Sequence, residues 1–271
     1  MFTSQGLSQF AREYANWDGL KTVCLTFDTD FAPDYMIEHV LSLLREYDAR
    51  ATFFTTHRSE ALIKLLDDER YELATHPNLS PNTTQGRDLS DIISNLKSFY
   101  PKITGNRFHI LGYSYRDLVT LGRAGFTYDV STLRLNCPYL LPAWHPDLRM
   151  LLLTYMWEDG ICENSNLPVA LESIDLRSPG LKIINFHPMN VYINGPTSEA
   201  RLGFLRENPD LLNCSQDAAA SHRCTGDEGA ERALVALLRH LSANSCRMLR
   251  VKDVASAYTD LVRPESSEGN Q

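Results

Sequence analysis

Along the chain, short runs in which apolar and polar residues alternate are separated by stretches whose apolar residues recur every three or four positions. In Thr22-Val-Cys-Leu-Thr-Phe-Asp28, Val23, Leu25 and Phe27 share one face, the period of a strand. Between Asp34 and Tyr47, Met36, Ile37, Val40, Leu41 and Leu44 keep helical spacing. Ala51 to Thr56 is a compact β-prone run, and Ser59 can cap a helix carrying Ala61, Leu62, Leu65 and Leu66. Tyr71 to Thr75 predicts a third strand, and Asp88 to Tyr100 an amphipathic helix. Arg107 to Leu111 predicts a short fourth strand, followed by a helix from Tyr113 to Ala124 that Gly125 ends. Strands follow at Phe126 to Val130, Met150 to Tyr155 and Leu181 to Phe186. Glu228 to Leu241 predicts a helix, Arg247 to Leu249 a last strand, and Val251 to Ala257 a closing helix.

This alternation of strand and helix implies an α/β fold of parallel strands joined by helical crossovers. Polar groups stand just past the predicted strand C-termini: Asp28, Asp30, His76, His109, Asp159 and His187. A doubly wound sheet would gather such groups near one switch point, whereas a parallel barrel brings all its strand ends to one face. Contributions from several strands favour the barrel. The chain is expected to form a single domain over residues 1–271. The stretch from about 195 to 229 is the exception, rich in Asn, Ser, Gly, Asp and Ala, and is expected to be an irregular insertion. The tail from about residue 264 is expected to be disordered.

Composition narrows the classes. With 43% hydrophobic and 22% charged residues, the chain has ordinary globular usage. A formal net charge of −8 argues against a dedicated nucleic-acid binder. The six cysteines have no zinc-finger spacing, which predicts free thiols in a reducing compartment, although Cys214 and Cys224 flank a loop short enough to be bridged. The first twenty residues lack a signal-peptide pattern, and no apolar run approaches the ~20 residues needed to span a membrane. A cytoplasmic location is expected.

Asp28 and Asp30 repel one another at a strand end unless a cation or shared proton compensates. On these residues alone, a pair of turn-capping aspartates explains the pattern as well as a metal site does. The wider sequence carries a resemblance that bears on the choice. Thr26-Phe-Asp28-Thr-Asp30 resembles the TFDD signature of the polysaccharide deacetylases, also called the NodB homology domain or carbohydrate esterase family 4. Ala51-Thr-Phe-Phe and Gly125-Phe-Thr-Tyr-Asp129-Val-Ser131 are similar to later anchors of that family, in the same order.

The resemblance implies a distorted (β/α)7 barrel of the NodB type and metal-dependent removal of acetyl groups from sugars. It implies Asp28 as general base and Asp30 as metal ligand. Typical members then carry H-[ST]-x-x-H, but here His76-Pro-Asn-Leu-Ser80 puts serine at the second histidine. Serine is a poor ligand. His109, past another predicted strand, is the expected substitute, with Asn78 as a further oxygen donor or substrate contact. The HPN form resembles the WbmS-like branch, associated with O-antigen and capsule biosynthesis. Arg107 stands where the family's arginine would orient the base, and Trp157-Glu-Asp159 is similar to the motif supplying an aromatic wall and an acid that holds a histidine. Phe186-His187 corresponds to the motif of the general acid, with Asn190 and Asn194 near enough to meet sugar hydroxyls.

The resemblance thus implies a divalent metal, Zn2+ first and Co2+, Ni2+ or Fe2+ as alternatives, bound by Asp30, His76 and His109. The implied substrate is an acetylated sugar, nucleotide sugar or lipid-linked glycan. Two competing readings follow from the same residues. The missing second histidine suits a carbohydrate-binding member that has lost its metal, and Asp28-Thr-Asp30 also has the DxD form of a glycosyltransferase.

Overall fold

The computed structural model describes residues 22–160 and 167–262; the N-terminal stretch, Cys162 and the tail from Pro264 lie outside them. Strand β1 (Thr22–Asp28) leads to α1 (Asp34–Glu46), β2 (Ala51–Thr55), α2 (Glu60–Ile63), β3 (Tyr71–Thr75) and α3 (Leu89–Phe99). Next come β4 (Gly105–Asn106), α4 (Tyr115–Arg123), β5 (Tyr128–Leu133), β6 (Ala143–His145), β7 (Met150–Tyr155) and β8 (Trp157–Glu158). Strand β9 (Lys182–Phe186) precedes α5 (Pro188–Ile193), α6 (Ser198–Glu207), α7 (Gln216–Ser221) and α8 (Ala230–Ala243). Strand β10 (Arg247–Met248) and α9 (Val251–Val262) complete the described chain.

The sheet order is β6-β7-β5-β4-β3-β2-β1-β9-β8, with β10 beside β1, and every ladder is parallel except β6–β7. Strands β7 and β8 are one run broken at Met156. Its first part pairs with β5 (Tyr128 opposite Leu151), its second with β9 (Trp157 opposite Ile184). The backbone N–H of Met156 donates to Ile183 O at 2.8 Å. This run therefore borders both β5 and β9 in the ten-stranded, mostly parallel sheet, an α/β architecture of the kind that the resemblance implies.

Strand β1 is buried on both faces because it has a core on each side. Val23, Leu25 and Phe27 pack outward in a cluster with Met36, Ile37, Val40, Leu41 and Leu44 of α1. Each such side chain, fully buried, contributes about 1.5–3 kcal/mol of hydrophobic stabilisation. Cys24 faces the other way, with Phe54, Ala74, Tyr128, Val130, Leu151 and Ile183, and Val251, Val254 and Tyr258 of α9 close that cluster. The first turn of α9 is held by Glu72, which accepts from Lys252 N, Thr52 Oγ1 and Tyr128 Oη. Ser59 caps α2 and Asp88 caps α3 through their side-chain oxygens, as expected from their types. Gly125 ends the α4 region with φ of +80°, a left-handed conformation that its lack of a Cβ permits.

Several expectations are corrected. The fourth strand is Gly105–Asn106 rather than Arg107–Leu111, because Ile110 and Leu111 adopt φ of 47° and 55° and cannot continue a strand. Strands β6 and β8 were not expected, being three and two residues long. The stretch 195–229 is not irregular throughout, since it contains α6 and α7. Their buried faces are thin, only Phe204 in α6 and Ala219 in α7, so the sequence shows little periodicity there. Cys214 and Cys224 are both free thiols.

Just past β2, His57 is buried, stacks on Phe31 and shares a hydrogen bond between Nδ1 and Thr56 Oγ1 at 3.0 Å. Burial pushes its imidazolium down to about 4, against the opposing charge of Asp34. Between that value and about 6.5 the unfolded chain binds the extra proton, so the neutral ring's stabilisation is complete above about 6.5 and lost as pH falls. Between about pH 7 and about pH 4, wild type is expected to lose on the order of 3 kcal/mol more unfolding free energy than His57→Gln. Urea titrations at the two pH values measure this; equal losses would refute a neutral buried His57.

Candidate active site and metal centre

The polar groups at the strand C-termini meet at one end of the parallel sheet. After β1, Asp30 and Phe31 take φ of 44° and 61°, an uncommon left-handed pair for non-glycine residues that turns the chain sharply. Thr56 pins this turn: its Oγ1 accepts from Phe31 N at 2.8 Å and lies 3.1 Å from Thr29 Oγ1. His76 follows β3, with its N–H on Thr55 O. Arg107 follows β4 with its N–H on Thr75 O, and His109 N donates to Pro77 O. Asp159 follows β8. His187 follows β9 and donates its backbone N–H to Asp159 Oδ2 at 2.9 Å.

Three of these groups form a compact donor set. Asp30 Oδ1 lies 3.0 Å from His109 Nδ1 and 3.2 Å from His76 Nε2, and the two nitrogens are 3.3 Å apart. One ligand atom from each of Asp30, His76 and His109 falls within 4.8 Å of the others, close enough for all to share an ion. His76 Nδ1 is 2.8 Å from Arg107 O, so it donates there and turns Nε2 to the set, where the neutral ring could bind an ion. One carboxylate oxygen and two imidazole nitrogens with an open side match the donors of a catalytic divalent-metal site. Burial by itself would raise the Asp30 carboxyl. Hydrogen bonds from His109 and His76, with the charges of His187 and His109, outweigh burial and hold it well below the usual range. Ser80 takes no part; its N–H donates to Asn78 Oδ1 at 2.9 Å.

Asp28 sits beside this set, its Oδ2 3.7 Å from His76 Nε2. Arg107 Nη1 donates to Asp28 Oδ1 at 2.9 Å and Asn185 Nδ2 to Oδ2 at 2.9 Å, so both carboxylate oxygens are held. The guanidinium is buried between the rings of Phe54 and Tyr155, 4.2 and 4.4 Å from their centroids. On the other side, His187 Nδ1 meets Asp159 Oδ1 at 2.5 Å, and its Nε2 lies 3.6 Å from Asp30 Oδ2. Burial disfavours the His187 imidazolium, but the charge and hydrogen bond of Asp159, then Asp30 and Glu158, raise it well above its ordinary value.

Asp28, Asp30, His76, His109 and His187 form the floor of a cleft of about 970 Å3. Asn78 and Asn190 are among the residues that line it, and Asn190 is buried with neither amide atom paired. Trp157 is a correction. It is fully buried away from the cleft, packs on Phe186 and donates Nε1–H to Ser173 Oγ at 3.0 Å. Alternation along β8 turns the next residue, Glu158, to the cleft instead. Asn194 is another correction: its Oδ1 accepts from Glu231 N and Arg232 N, holding the start of α8. Sequence reasoning missed Glu158, whose carboxyl accepts from Tyr155 Oη at 2.8 Å and is raised by burial against the charge of His187. It also missed Asn185, whose signal was present as one polar residue inside the apolar run Ile183-Ile-Asn-Phe186.

A family model described as WbmS-like polysaccharide deacetylase matches residues 25–200. None of the curated proteins compared matches the chain. Among solved structures, a Bordetella bronchiseptica protein described as a polysaccharide deacetylase involved in O-antigen biosynthesis is 24% identical, with a TM-score of 0.72. That match covers 83% of this chain and 93% of the other. A Mycobacterium smegmatis structure described as a polysaccharide deacetylase is 15% identical, with a TM-score of 0.56 over 96% of this chain and 98% of the other. Both share the fold.

Removing the Arg107 cation leaves a buried carboxylate without its charge partner. Arg107→Met is expected to lower unfolding free energy by about 3 kcal/mol, as measured in urea. A loss under about 1 kcal/mol would mean that Asn185 alone satisfies Asp28.

Proposed function

Because the chain belongs to the WbmS-like polysaccharide deacetylase family, we propose that it is a metal-dependent hydrolase removing an acetyl or other acyl group from an amino sugar or polysaccharide precursor. The observation that carries this reading is the floor of the cleft, where Asp30, His76 and His109 gather with Asp28 and His187 beside them. These three residues would hold the ion, with His109 in the role that Ser80 cannot fill. Zn2+ suits the donors, and Co2+, Ni2+ or Fe2+ would also fit. When bound, the metal supplies Lewis-acid polarisation of the acyl carbonyl and lowers the pKa of water at the site.

The chain's own groups do the proton work. Asp28 accepts the proton of the attacking water, in an orientation that Arg107 and Asn185 fix. The water oxygen bonds to the acyl carbon, and the bond from that carbon to the sugar nitrogen or oxygen breaks. His187 delivers a proton from Nε2 to the leaving atom, while Asp159 on Nδ1 sets the ring's orientation. Asn78 and Asn190 are the groups we assign to substrate hydroxyls.

The likeness to a protein described as acting in O-antigen biosynthesis supports a place in making surface polysaccharide. Five free thiols among the described residues support a cytoplasmic setting and hence a precursor substrate.

Metal binding and turnover test the reading. Protein purified without a histidine tag is expected to carry a divalent ion; chelation should abolish acetate release and Zn2+ or Co2+ restore it. His109→Ala should weaken metal binding at least about tenfold. Asp28→Asn should keep the metal and lower kcat by about 10²–10⁴. Undiminished turnover by metal-free protein, or by Asp28→Asn, would sink the mechanism.

A further inference from the structure

The walls of the cleft differ in character from its floor. Among the described residues, eight large apolar side chains are exposed, and five of them lie on two segments. Ile110, Tyr113 and Tyr115 follow the His109 turn, while Leu202 and Leu212 belong to the stretch that carries α6. Ile110 and Leu111 line the cleft, and from the second segment Leu205, Leu211 and Leu212 line it together with the polar Arg201, Asp210 and Asn213. Ile110 is 73% exposed and Leu212 41% exposed, and what sets them apart from scattered surface leucines is that both line the same cleft. Ile110 and Leu111 are also held in consecutive left-handed conformations, which L-residues other than glycine rarely adopt. The chain thus sustains local strain where an isoleucine is presented to solvent beside a metal-binding histidine.

We propose that the cleft takes a substrate whose reacting sugar is joined to an apolar chain, with that chain lying along Ile110, Leu111 and Leu212. The inference rests on the deacetylase reading only for which end of the substrate reaches the floor. A bare polysaccharide segment would set hydroxyl groups against these aliphatic side chains and leave them poorly solvated. A lipid bilayer is a weaker occupant, because the net charge of −8 opposes approach to an anionic membrane surface. A single apolar chain continuous with the sugar uses the polar floor and the aliphatic walls together.

The test is binding of alkyl glucosides of increasing length to the metal-free full chain, below their micelle-forming concentrations, by calorimetry. Each methylene buried on the wall is expected to tighten Kd by up to about fourfold. Octyl glucoside should therefore bind at least about tenfold more tightly than butyl glucoside. Leu212→Ser and Ile110→Ser should each flatten that dependence with the circular dichroism spectrum unchanged. Equal affinity for the two glucosides, or undiminished chain dependence in both variants, overturns the inference. So does tighter binding of UDP-N-acetylglucosamine than of octyl glucoside. Binding to phosphatidylcholine vesicles but not to octyl glucoside would assign the patch to a membrane instead, and also overturns it. The assay uses no metal and no acyl transfer, so chain-dependent binding by an inactive enzyme would count against the deacetylase reading alone.

Discussion

The contact on which the site depends is the buried pair of Arg107 and Asp28. A guanidinium enclosed by Phe54 and Tyr155 and a carboxylate at the end of β1 are both nearly inaccessible to water. Neither would be tolerated there alone, since an unpaired buried charge costs several kcal/mol. Together with Thr26 and Asn185 they form a polar knot that ties β1, β9 and the end of β4 at one level. The same residue that steadies the proposed base also fixes His76, because the Arg107 carbonyl accepts the hydrogen bond from Nδ1–H of that ring. One arginine thus couples the two halves of the floor to which proton acceptance and metal binding are proposed.

In the proposed metal site, His109 stands in for the family's second histidine without any change of scaffold. The expected second histidine of the His76 loop is Ser80, and the loop uses that position for a turn closed on Asn78. The imidazole arrives from the next strand end instead, where β4 stops after two residues and the chain turns through Ile110 and Leu111. A longer β4 would carry position 109 along the sheet. Strain in the turn and placement of the ligand are therefore one feature, and the same turn sends Ile110 into the mouth of the cleft.

Much of this was legible in the sequence, for local reasons. Period-two and helical apolar patterns located β1, β2, β3, β7, β9, α1, α3 and α8 because each buries a broad face. Carboxylates and imidazoles after apolar strands marked the floor, since parallel strands deliver their C-termini to one face. Elements that bury little left little trace: the two-residue β4 and β8, and helices α6 and α7 with one buried residue each.

The sequence by itself determined the parallel α/β class, the order of the elements and the set of chemically capable residues, because periodicity and residue type are local properties. Which of those residues share a site was decided by tertiary structure. The break at Met156 lets one run pair with both β5 and β9, and the pleat then buries Trp157 and turns Glu158 to the cleft. The left-handed turns at Asp30 and Ile110 bring Asp30 and His109 to 3.0 Å across 79 residues of chain. Distances of that kind depend on register and backbone turns summed over several strands, and no single stretch of sequence contains them.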